Sequence, residues 1–172
     1  MRVFIYGTPG AGKTTLALML AKRLGCPLHH LDSIFFFPGG APRRRSDALI
    51  EVERIVQGDA WIIDGNHGAA IVPVASRADR VVVLRVGRWR SLVRLLHRRF
   101  RVPVALANSG PGGGRPVLPL HLLRYALVVH PRLEPQHIKK ITQSTLGVVR
   151  QYDDASHAVA WFPDAGDLAD TD

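Results

Sequence analysis

Near the start of the chain, Gly7-Thr8-Pro9-Gly10-Ala11-Gly12-Lys13-Thr14 follows the pattern G-x-x-x-x-G-K-[ST], preceded by a short apolar run and followed by a helical pattern. Glycines at these steps let successive main-chain N–H groups converge on phosphate oxygens, and the N-terminus of the following helix adds partial positive charge. The pattern predicts that Gly7, Gly10, Ala11, Gly12, Lys13, Thr14 and Thr15 enclose the phosphates of ATP. In that arrangement Lys13 bridges the β and γ phosphates and the Thr14 hydroxyl helps to hold Mg²⁺. A glycine-rich turn with an incidental lysine is the plainer alternative, and the flanking strand and helix weigh against it.

A phosphate loop does not name a reaction. Two aspartates, Asp32 and Asp64, each close a segment predicted to be a parallel strand, so both carboxylates are expected to point toward the phosphates. Asp64 follows Trp61-Ile62-Ile63, the setting of an aspartate that holds Mg²⁺ through water. Either aspartate also reads as a turn cap. His29, His30, His121, His130 and His137 show no metal spacing paired with carboxylates, and a zinc site is not expected.

Charge points the same way. The 172 residues carry a net charge of +9. Between Val81 and Leu133 there is no carboxylate but there are arginines at 85, 88, 90, 94, 98, 99, 101, 115, 124 and 132. The end of the chain reverses this with aspartates at 153, 154, 164, 167, 170 and 172. Such a field fits a polyanion, either a nucleoside triphosphate or a nucleic-acid backbone. Hydrophobic content of 47% supports a sizeable core and excludes general disorder. No apolar run approaches the ~20 residues of a bilayer crossing, no export signal is visible, and one cysteine, Cys26, fits a reducing, cytoplasmic setting as a core filler.

The elements that must position these residues alternate. Val3 to Tyr6, Pro27 to Leu31, Trp61 to Ile63, Arg80 to Val86 and His157 to Phe162 are the predicted strands. Predicted helices run from Lys13 to Leu24, from a Ser46-Asp47 cap through Val56, after the Arg80 to Val86 strand with Trp89, Leu92, Val93, Leu96 and Phe100 inward, and from Pro135 to Arg150. A Gly/Pro-rich stretch reads as a flexible lid, approximately 101–118, and 163–172 as an acidic tail. The pattern is that of one α/β domain with a parallel sheet and ligands at the carboxyl ends of its strands.

GTPGAGKTTLALMLAKRLG, HLDSIFFFPG, WIIDGNH and VVVLRVGRWRSLVRLLHRR together resemble the adenylate-kinase-like P-loop family known as DNA topology modulation (FlaR-like) proteins, over roughly the first 100 residues. The resemblance implies a P-loop NTPase, nucleoside-monophosphate-kinase-like fold: a parallel five-stranded sheet in the order 2-3-1-4-5, helices on both faces, and a lid. It implies that Asp64 orients the hydration shell of Mg²⁺, that Asp32 binds the acceptor or acts as a base, and that Arg94 and Arg98 lie over the nucleotide and its phosphates. It places Arg43, Arg44 and Arg45 on the acceptor side, where a solvated loop is an equal reading. Two departures stand out: Arg85 occupies a position that is acidic in the relatives, and the lid lacks their paired aspartate. The expectation is a kinase using ATP and Mg²⁺ on a small-molecule or nucleotide acceptor. The alternative is a nucleotide-responsive regulator that binds nucleic acid through the arginine segment.

Overall fold

Val3–Tyr6, Ile62–Ile63 and Val81–Leu84 have no solvent exposure, as strands covered on both faces require. The computed structural model describes residues 1–87, 90, 91, 93 and 128–163. Among these, β1 (Arg2–Gly7), β2 (Leu28–His30), β3 (Trp61–Asp64), β4 (Arg80–Leu84) and β5 (Val148–Tyr152) form one sheet in the order β2-β3-β1-β4-β5. Every pairing is parallel, and the order is the predicted one.

Alternate residues of each strand feed two cores. On one face Val3, Ile5, Ile62, Val82 and Leu84 meet Leu16 and Leu20 of α1 (Lys13–Leu24) and Ala158 of α6 (Ala155–Val159). On the other, Phe4, Tyr6, Ile63, Val81 and Val83 meet α2 (Leu31–Phe35), α3 (Arg45–Val56), α4 (Ile71–Ala75) and α5 (His130–Ser144). The right-handed crossovers demanded by parallel pairing bring the site residues to one edge, the carboxyl ends of β1 to β4.

Several expectations are corrected. The fifth strand is Val148–Tyr152, not His157 to Phe162, which begins as α6 and buries Ala158 and Phe162 four residues apart while Ala160 stays exposed. The helix before it starts at His130, with Pro131 in its first turn and Pro135 inside, and it ends at Ser144. Ser46 and Asp47 do not cap α3: Arg44 holds the cap position, and the Ser46 hydroxyl donates to Asp47 at 3.0 Å. Asp32 lies in the first turn of α2 and not at a strand end. Val93, expected inward, is 49% exposed. Cys26 is half-buried beside the α1 core and does not fill it. Trp89, Leu92, Arg94, Leu96, Arg98 and Phe100, the lid at 101–118 and tail residues 164–172 lie outside the described residues.

Candidate phosphate-binding site

β1 runs straight into the loop and the loop into α1. Gly12 caps that helix in the left-handed region, φ 91°, where a side chain is disfavoured. It brings no side-chain oxygen to the first turn, so the amides of Lys13, Thr14 and Thr15 are left for an anion. Lys13 Nζ donates to the carbonyls of Gly7 at 3.0 Å and Thr8 at 2.9 Å, folding the side chain over its own loop. Burial pushes the ammonium below its ordinary pKa, against the raising influence of Asp32 and Asp64. Ser91 props the apex: its hydroxyl donates to Pro9 O at 2.6 Å.

Asp64 closes β3 and is 4% exposed. Thr14 Oγ1 donates to its Oδ2 at 2.9 Å, and His30 Nδ1 bonds its Oδ1. That bond raises the pKa of His30, more than burial lowers it. The next residue, Gly65, has φ 146°, and a Cβ there would sit 2.6 Å from Leu31 Cβ, so the turn that frees Asp64 toward the loop admits glycine only. Asp32 is exposed, and its charge acts on Lys13, His30 and His67.

Two cavities flank this centre. One of about 310 Å³ lies beside β2 and is lined by His29, His30, Ser33, Arg43 and Glu51 among others. Arg43 stacks over Phe37 at 4.7 Å, and its Nε is buried without a hydrogen bond, as are Asn66 Nδ2 and His67 Nδ1. Arg44 and Arg45 are exposed and do not line it. The other cavity, about 450 Å³, lies between the loop and α5, with Thr8, Arg85, Ser91 and Glu134 in its walls. Arg85 is 3.3 Å from Glu134, so an acid of α5 meets the arginine that stands after β4.

Beneath the loop, on the face opposite α1, the Tyr6 hydroxyl meets His137 Nδ1 at 3.0 Å and His130 Nε2 at 3.3 Å. A hydroxyl has one proton, so it can donate to only one of the two rings. Burial pushes both imidazoles down, His130 to about 4.

No protein-family model matches the chain. A solved shikimate kinase from Bacteroides thetaiotaomicron superposes with a TM-score of 0.59, covering 94% of this chain and 95% of that one at 18% identity. The fold is that of the P-loop kinases. A Pyrococcus furiosus protein named "Putative adenylate kinase" is 34% identical over 107 residues, which are 58% of this chain and 57% of that protein. The Holliday junction branch migration complex subunit RuvB of Mycoplasma pneumoniae is 37% identical over 68 residues, 40% of this chain and 20% of that one. The chain thus spans little more than half of the first relative and a fifth of the second. Among the described residues no helix is long and apolar enough to cross a membrane.

Within this kinase fold, Lys13, Thr14 and Asp64 are brought together, and Asp32 is near enough for its charge to act on Lys13. Two further side chains, His30 and Ser91, touch this centre. Ser91 carries no motif signal. His30 was legible in principle, because a strand beside β3 that ends level with Asp64 places its last residue next to that carboxylate.

Proposed function

We propose that the chain is a phosphotransferase that uses ATP and Mg²⁺ and moves the γ-phosphoryl group to a small-molecule or nucleotide acceptor. The observation that carries this reading is the bridge from Thr14 to Asp64 at the foot of a loop whose lysine lies over its own main chain. A hydroxyl and a carboxylate are the hard oxygen donors that Mg²⁺ accepts, directly or through water. Mg²⁺, when bound, supplies charge neutralisation across the β and γ phosphates.

The chain's own residues would do the rest. Amides from Gly7, Gly10, Ala11, Gly12, Lys13, Thr14 and Thr15 bind the phosphates, and Lys13 turns from the Gly7 and Thr8 carbonyls to charged oxygens, a stronger class of hydrogen bond. Asp32 positions the acceptor hydroxyl or phosphate. Arg43 and Asn66, with their unpaired buried N–H groups, fit an acceptor that brings acceptor atoms of its own, and His67 Nδ1 can donate or accept according to its tautomer. Arg94 and Arg98 screen the leaving group, which suits guanidinium because it stays charged and grips phosphate in a fork. Catalysis is then positioning and electrostatics.

Incubation with Mg·ATP and a panel of nucleoside monophosphates, hydroxylated metabolites and nucleic-acid ends should yield ADP with at least one acceptor. Lys13→Ala should abolish that turnover. Full activity in the variant would refute the assignment.

A further inference from the structure

We propose that His30 is a positioning residue for Asp64, holding one carboxylate oxygen so that the other faces Thr14 and the hydration shell of the nucleotide's divalent cation. The inference rests on the phosphotransferase reading above and adds a residue to it.

His30 is the last residue of β2 and Asp64 the last of β3, and the two are register partners across the parallel pair. Partners in register point to the same face. The imidazole therefore reaches Asp64 without a long or mobile side chain. At 4% exposure the Asp64 carboxylate cannot be oriented by bulk water and depends on the groups bonded to it. Among the described residues those side chains are Thr14, on Oδ2, and His30, on Oδ1.

The two partners differ in what a bound nucleotide asks of them. The Thr14 hydroxyl belongs to the phosphate loop, and when it turns to a cation it no longer donates to Oδ2. His30 sits outside the loop, on the sheet, and keeps Oδ1 throughout. One oxygen thus stays anchored to the rigid sheet while the other is released for metal-bound water. Groups that orient a metal-holding carboxylate in this way govern metal affinity without touching the metal.

The test is calorimetric titration of ATP, with Mg²⁺ and separately with EDTA, into the wild type, His30→Leu and His30→Asn. Asparagine places its Nδ2 where the imidazole has Nδ1, so the second variant keeps an N–H for Asp64 and loses the ring. The wild type should bind ATP more tightly with Mg²⁺. In His30→Leu that Mg²⁺-dependent gain should fall about 10-fold or more while affinity in EDTA holds, and His30→Asn should restore it. In an Asp64→Asn background the leucine substitution should remove nothing further. A purely structural loss would lower both affinities together and would not be rescued by asparagine. The proposal is overturned by an unchanged gain in folded His30→Leu, by a gain lost equally in His30→Asn, or by a wild type that binds ATP equally with and without Mg²⁺. Should thermal melts show His30→Leu unfolded, His30→Asn decides alone: a native gain supports the role and a lost gain overturns it. A wild type that binds no ATP in either buffer overturns the phosphotransferase reading instead.

Discussion

The two faces of the sheet solve the same problem with different chemistry. Under α1, below the rim where Asp64 and His30 sit, Val3, Ile5, Ile62, Val82 and Leu84 present only hydrocarbon to Leu16 and Leu20. Under α5 the corresponding depth holds Tyr6 with His130 and His137, both buried. Apolar contact is strong but indifferent to small rotations, whereas hydrogen bonds fix direction. The phosphate loop is held by Lys13 and Ser91 on its carbonyls and needs from α1 only firm seating. Helix α5 begins at His130, more than forty positions after β4 ends at Leu84, and three polar atoms define where it lands.

The contrast can be broken from either side. Leu20→Ala on the dry face should cost about 2–5 kcal/mol, the range for a buried leucine deletion. Chemical denaturation should show that loss equally at pH 5 and pH 8. Tyr6→Phe on the polar face keeps the ring and removes the hydroxyl that His130 and His137 share. Its expected cost is smaller, about 1–3 kcal/mol, from buried ring nitrogens deprived of that partner, and the same denaturation curves measure it.

The smallest effect is a difference in slope. His130 has a folded pKa of about 4 against an ordinary 6.5, so the unfolded chain binds more protons between those values. Its contribution is complete above pH 6.5 and is lost as pH falls toward 4. Stability measured across this window should therefore rise less steeply in His130→Leu than in the wild type. Equal slopes would mean that the imidazole is not held neutral.

The same contrast explains what could be read before the structure. Val3–Tyr6, Trp61–Ile63 and Val81–Leu84 are uninterrupted apolar runs, and strands buried on both faces announce themselves that way. Their order, and the grouping of Lys13, Thr14 and Asp64, followed from the loop motif and the resemblance. β5 did not, because an edge strand with Arg150 and Gln151 facing solvent has too little apolar content to stand out. The apolar AVAWF drew the strand assignment instead, although Asp154 caps a helix there by accepting from Ser156 N at 3.0 Å. Tyr6, His130 and His137 left no trace in the sequence, since two histidines seven apart on a helix become partners of a strand residue more than a hundred positions away only through the fold.

The pairing of Arg85 with Glu134 has a consequence for how the sheet and α5 depend on each other. Arg85 directly follows β4 and Glu134 lies in α5, so one ion pair joins two stretches of the chain 49 positions apart. A change of sign at one partner alone therefore sets like charges together at that seam, and a matching change at the other restores the attraction.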